Sequence, residues 1–335
     1  MVGNKLKKKL QLDPLKPFDC FNQREASQAG KLEVVTTLFL VGAECPFQCS
    51  MCDLWKYTLD SSTQVGAIPR QIELGLRQVE ELGDWVKLYN ASNFFDPRAI
   101  PWEDHPAIAD QCRSFKRVIV ECHPKLLLAH ADRILDFRDR LSGKLEIAMG
   151  LESVDPRAIA LLNKSMSLEL FRRAVEWCSD HQIDTRSFVI LQPPGTAPSE
   201  SVDWAVESVK KAFHWGCRHS SLIPLRGGNA TTDNWLEQGL HQLPNAFQFE
   251  SAVAKSLNVK AREDQIFCGD LWDWNCISGT CETCRDWRRA RIEYANLTQL
   301  WPGGSPSAID RSAEIACECR KWNNGPWDRR PGTAS

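Results

Sequence analysis

The chain has 335 residues, 43% apolar and 25% charged, with a formal net charge of −2. That composition belongs to a globular protein with a sizeable core, and it lacks the global basic excess that marks a nucleic-acid binder. No apolar run approaches the ~18 residues that span a bilayer, and the basic run at 5–9 has no apolar segment behind it, so neither a membrane span nor a secretory signal is expected. The fourteen cysteines are therefore expected to stay reduced in a cytoplasmic protein, where clustered thiols bind metal more readily than they pair. Lys5 to Lys9 either touch RNA or phosphate or are a solvated terminus.

In chain order, residues 1–32 read as an extension. Residues 33–42 are the first predicted strand, an apolar run that ends just before Cys45, Cys49 and Cys52 in the spacing C-x3-C-x2-C. Three thiols this close cannot pair among themselves without leaving one over. They can converge on one metal centre, and a cluster of four irons held by three of them keeps one iron open for chemistry. Helices are predicted at 69–82, 101–115, 124–141, 156–162, 168–179 and 199–214, where apolar residues recur at helical spacing. The strands between them are predicted at 85–91, 117–121, 145–151, 185–191 and 219–225. Six strands alternating with helices predict a parallel α/β sheet with helices outside, either open or curled into a barrel. Ligands then collect at the carboxyl ends of the strands.

The strand ends carry polar and charged residues. After the second predicted strand come Ser92 and Asn93, followed by Phe94-Phe95-Asp96-Pro97. Glu121 ends the third, and Glu152 with Ser153 ends the fourth, with Asn163-Lys164 downstream. Arg226 follows the sixth, beside two glycines, where it could hold a substrate anion.

Past Val259 the composition turns rich in Cys, Trp and Arg, and a small domain is predicted over 259–324 with a Pro/Gly-rich disordered tail at 325–335. Cys281-x2-Cys284 and Cys317-x-Cys319 resemble two metal knuckles, which Cys268 and Cys276 could complete. Zinc or an auxiliary iron–sulfur cluster would suit such thiolates. Arg285, Arg288, Arg289 and Arg291, near Trp287, fall between the knuckles.

The cysteine loop directly after a first strand resembles the cluster motif of the radical S-adenosylmethionine (radical SAM) superfamily, with Met51 where the family usually has an aromatic residue. The resemblance covers residues 33–229. It implies a six-stranded partial (β/α)6 barrel over 33–258, and a 4Fe-4S cluster on Cys45, Cys49 and Cys52. It also implies an S-adenosylmethionine bound to the fourth iron, reductive cleavage to a 5′-deoxyadenosyl radical, and an electron donor such as a flavodoxin or ferredoxin. The strand-end motifs are most similar to the elongator-catalytic-subunit and coproporphyrinogen-oxidase-like branch and to relatives of the archaeosine-forming tRNA lyase. That similarity implies that Ser92 and Asn93 meet the methionyl amino group, that Glu121 and Glu152, beside Ser153, reach the ribose, and that Lys164 pairs with the methionyl carboxylate. It also suggests a tRNA nucleoside as substrate, with the arginines around Trp287 as its surface; a small metabolite or a peptide is the alternative. Two rivals from other classes are a zinc-binding interaction module on an inert barrel and a two-cluster electron-transfer protein.

Overall fold

A computed structural model describes residues 9–302. Cys317, Cys319, the end of the expected C-terminal domain and the tail at 325–335 lie outside the described residues, as does most of the basic run at 5–9.

Eight strands form one sheet in chain order. β1 (Asp19–Gln28) runs antiparallel to β2 (Lys31–Leu40). From β2 onward every pairing is parallel, through β3 (Trp85–Asn90), β4 (Arg117–Glu121), β5 (Lys144–Glu152), β6 (Asp184–Leu191), β7 (His219–Pro224) and β8 (Ile266–Gly269). The sheet curls until its two edges approach. Phe21 of β1 and Trp272, just after β8, stack across the remaining gap at 5.7 Å. At the other end Arg218 donates to the Ser27 carbonyl at 2.9 Å.

All six predicted strands are present, but the expected count of six is corrected to eight. β1 escapes a search for apolar alternation because Gln23, Glu25 and Ser27 on its inward face are polar, and β8 has only four residues. β1 lies within the expected extension at 1–32, and β8 pairs with β7 beyond the boundary expected near Val259, so the sheet runs past both limits.

The helices cover the outside: α1 (Ala67–Gln78), α2 (His105–Gln111), α3 (Pro124–Ala129), α4 (Ala131–Arg140), α5 (Pro156–Leu162), α6 (Leu168–Asp180), α7 (Ser201–Trp215), α8 (Ala230–Glu237), α9 (Ala246–Ser256) and α10 (Glu282–Thr298). The single helix predicted over 124–141 is two. His130 leaves helical geometry at φ −120° while its N–H closes the end of α3 on Leu126 and Leu127. Between helices and sheet lies the main apolar core, with Leu38, Val86, Leu88, Phe94, Phe137, Phe171 and Phe213 fully or almost fully buried. Burying such side chains is the dominant stabilising term.

The lumen is built differently. Val35, Trp85 and Ile119 form a small apolar group with Tyr89 against it. Around it the inward positions carry charge. Glu146 bonds Arg117 and Arg186, each at 2.8 Å, and Arg186 bonds Glu25 at 3.0 Å. Glu25 also pairs with Lys87, and Arg117 reaches Asp184 at 2.6 Å. Burying an ion costs several kcal/mol unless partners replace its water, and here acids and bases alternate through the network. Burial by itself would raise the Glu25 carboxyl, but Arg186 and Lys87 hold it down at about 2. This is why β1 reads as polar: its Glu25 completes an internal network.

Candidate functional site

The cysteine loop leaves the carboxyl end of β2 and lies over the barrel mouth. Two neighbouring segments clamp its backbone. From the α5 side, Ser50 donates its N–H to the Leu162 carbonyl at 3.0 Å and its hydroxyl to the Leu161 carbonyl at 2.8 Å. Asn163 donates to the Gln48 carbonyl at 2.9 Å. From the α8 side, Asn229 donates to the Cys52 carbonyl at 2.6 Å, and Thr232 to the Ser50 carbonyl at 2.9 Å. Asn229 also caps α8, accepting from the Thr231 N–H, so one side chain orients a helix and the loop together. Its position after two glycines is visible in the sequence; its two partners are not.

Inside the loop, Phe47 stacks on His123 with ring centroids 3.8 Å apart. The His123 Nδ1 accepts from the Lys125 N–H, so Nε2 carries the proton and donates to the Lys164 carbonyl at 2.9 Å. Burial, followed by Lys164, pushes His123 down to about 4.

Cys45, Cys49 and Cys52 lie within one another's electrostatic field. Burial pushes Cys49 up to about 12 and Cys52 up to about 11. A metal ion would reverse this by binding the thiolate. Among the described residues no set of three or more His, Cys, Asp or Glu side chains is gathered as a single-ion site. A cubane does not require one, because each thiolate binds a different iron.

The structure brings Glu121, Glu152 and Lys164 to the same mouth. Glu152 sits after a bulge in β5 with φ +63°, a left-handed conformation that non-glycine residues adopt rarely. Its carboxylate pairs with Lys164, whose Nζ also donates to the Gly150 carbonyl at 2.7 Å. A Cβ at Gly150 would run into the Glu152 carboxylate and the Lys164 ammonium, so a side chain there would displace this pair. The two residues expected on opposite ends of one ligand are thus partners of each other. Ser153 is turned away: it is buried, and its hydroxyl accepts from the Asp155 N–H at 3.0 Å.

Glu121 behaves as an acid that keeps its proton at neutral pH. Burial pushes it up to about 8 from 4.5, and Glu152 adds to the effect against the Asn90 N–H, Lys87 and Lys164. A carboxyl raised in the fold favours folding at low pH and loses that contribution as pH rises through its folded value. Metal-free wild type should therefore lose thermal stability between pH 4.5 and about 8, more steeply than Glu121→Gln. Parallel pH profiles for the two proteins would contradict this assignment.

Beside Glu121, at the end of β3, buried polar atoms stand without hydrogen-bond partners among the described residues: both ends of the Asn90 amide, the Ser92 hydroxyl and the Tyr89 hydroxyl. Buried polar groups in native proteins are nearly always satisfied; Tyr89 faces the lumen with Trp85, while Asn90, the next residue of the strand, points to the opposite face. Three thiols with Glu152 and Lys164 close to Cys49, and the Asn93 amide at Cys45, are a donor set that fits the cluster and S-adenosylmethionine. Tyr89 carries no expectation from the sequence, because its orphaned hydroxyl emerges only when the barrel closes. The Asn93 amide nitrogen faces the Cys45 sulfur at 3.3 Å, and its oxygen accepts from the His123 N–H at 2.7 Å.

Other expected roles change. Arg226 is held by Asp53 at 2.9 Å and by Asp273, so it ties the cysteine loop to the segment after β8 and is not free for a substrate anion. The arginines of α10 do not form an open basic face. Arg288 is buried, pairs with Glu250 and lies over the Phe247 ring at 3.9 Å. Arg291 lies over Trp287 and Trp301. Arg289 pairs with Glu293 at 2.9 Å. The physical reason is amphipathic: one side of α10 must pack on α9, and these guanidinium planes cover aromatic rings there.

Cys281 is the N-cap of α10, where its N–H donates to the Cys284 sulfur at 3.4 Å, and the pair packs with Phe247. Cys276 is exposed at the end of a 3-10 turn. Cys268, in β8, feels Glu25, Asp270, Arg186 and Lys87, and burial pushes it up to about 12. Among the described residues no helix is long and apolar enough to cross a membrane.

The nearly closed α/β barrel that carries the three-thiol loop is a fold shared with solved structures at low sequence identity. Methylornithine synthase matches with a TM-score of 0.52 at 11% identity, over 81% of this chain and 73% of that one. Coproporphyrinogen III oxidase from Escherichia coli, a radical SAM enzyme, matches with a TM-score of 0.42 at 12% identity, over 70% of this chain and 52% of that one. No family model matches the chain. In sequence, an uncharacterised protein of Methanocaldococcus jannaschii is 24% identical over 235 residues, which is 65% of this chain. The match spans 63% of that relative's length.

Proposed function

We propose that the chain is a radical SAM enzyme that binds a 4Fe-4S cluster through Cys45, Cys49 and Cys52 and acts on a small molecule held in the barrel mouth. The observation that carries this is the three-thiol loop with Glu152 and Lys164 close to Cys49 and Glu121 beside them. When bound, the cluster and S-adenosylmethionine supply a 5′-deoxyadenosyl radical for hydrogen abstraction. Ser92 and Lys164 would meet the methionyl end. Glu152 would accept from a ribose hydroxyl. Glu121, protonated at pH 7, can donate to the cofactor as well as accept. The barrel wall excludes water from the reacting atoms.

The inward pairing of the α10 arginines favours a small molecule over a tRNA nucleoside. Phe39, Tyr89, Phe188 and Trp272 offer such a molecule aromatic walls. The tRNA alternative rests on the strand-end motifs. A flavodoxin or ferredoxin would deliver the electron, in a cytoplasmic setting. Cys281 and Cys284, with Cys317 and Cys319 and completed by Cys268 or Cys276, would hold zinc or a second cluster.

The test is anaerobic reconstitution with iron and sulfide, followed by dithionite and S-adenosylmethionine. Formation of 5′-deoxyadenosine is expected, and iron-loaded protein that forms none overturns the proposal. Bulk tRNA added at low salt should not be retained; retention that falls steeply as salt rises would restore the tRNA alternative.

A further inference from the structure

We infer that Asn93 sets the reduction potential of the cluster by donating an N–H hydrogen bond to the sulfur of Cys45. This rests on the proposal that Cys45, Cys49 and Cys52 hold iron and sulfide, and it moves Asn93 from the methionyl amino group to the cluster.

The orientation of the amide is determined by its surroundings. The His123 N–H is a backbone donor and needs an acceptor, and it finds the Asn93 oxygen at 2.7 Å. That leaves the other end of the amide, which can only donate, directed at the Cys45 sulfur at 3.3 Å. A flipped amide would set two donors against each other at His123 and an oxygen against the sulfur. Asn93 is 3% exposed, so water does not compete for its N–H. His123 is fixed in turn by its stacking on Phe47 and its bonds to Lys125 and Lys164. The donor is therefore held from behind by a group that itself grips the cysteine loop.

An N–H pointing at a cluster thiolate stabilises the more negative, reduced state, and hydrogen bonds to the sulfurs are one of the terms that set cluster potentials. In a low-dielectric surrounding the contribution is larger than in water. The sign follows: the Asn93 donor makes the cluster easier to reduce.

The test is an EPR-monitored redox titration of reconstituted protein. Asn93→Leu keeps the bulk and removes the donor. At the potential where wild type is half reduced, its reduced-to-oxidised ratio is expected to fall about tenfold, equal to about 59 mV for a one-electron couple. In D2O, electron-nuclear double resonance should show an exchangeable deuteron near the wild-type cluster that the variant lacks. Asn93→Asp keeps the acceptor for His123 and so guards against a loosened loop. Titrated at pH 9, where an oxygen faces the sulfur, its midpoint is expected below that of wild type. A midpoint in either variant at or above the wild-type value, with iron content unchanged, overturns the inference. Wild type that assembles no cluster overturns instead the proposal beneath it, so the two failures are distinguishable.

Discussion

Replacing Cys49 with Ala is expected to reduce bound iron by about four per chain, the content of one cubane, and to bring 5′-deoxyadenosine formation down to background. Three thiolates are the fewest that hold such a cluster while leaving one iron open, so losing one removes the site and not merely its affinity. The loop itself should survive. Its backbone is held by Ser50, Asn163, Asn229 and Thr232, and none of those bonds uses the Cys49 sulfur. The control is Cys122→Ala. Cys122 is a buried thiol of the main core, two strands along the mouth, and its loss should leave iron content unchanged. Iron analysis and product chromatography on the two variants check the prediction. Full iron in Cys49→Ala, or equal loss in both, would count against the assignment of the three ligands.

Replacing Arg186 with Met should destabilise the fold by about 3–5 kcal/mol, the range for breaking a buried ion pair from one side. Arg186 is bonded to both Glu25 and Glu146, and the side chains of Arg186 and Glu146 are 4% and 0% exposed. Removing the guanidinium leaves two carboxylates of the lumen each short of a partner. Met fills much of the same volume, so the loss reads charge more than cavity. Urea unfolding of the metal-free protein measures it. A second substitution, Glu25→Gln, should recover part of the loss in the Arg186→Met background, because it removes one uncompensated charge. A change under about 1 kcal/mol, the value of an exposed pair, would mean that water reaches the network.

These two sites differ in how legible they are. The thiol spacing is local, and six strands carry enough β-branched and apolar residues to be seen one at a time. The carboxylates Glu121 and Glu152 are visible in the sequence as strand-end residues, because strand ends are a short search. β1 is not, because its pattern makes sense only opposite Arg186, which lies far along the chain. The basic character of α10 was visible as composition but misleading as function, since composition does not say which face packs.

What the amino-acid order determined by itself is the α/β alternation, the apolar outer core and the thiol loop after β2, all of which follow from interactions between residues near in sequence. The tertiary structure decided the closure to eight strands, the ion network inside the barrel, the pairing of Glu152 with Lys164 and the aim of the Asn93 amide. Each of these joins side chains from separate strands or loops, whose partners are set by register and curvature. A polar residue states only that it needs a partner, and the closed barrel supplies which one.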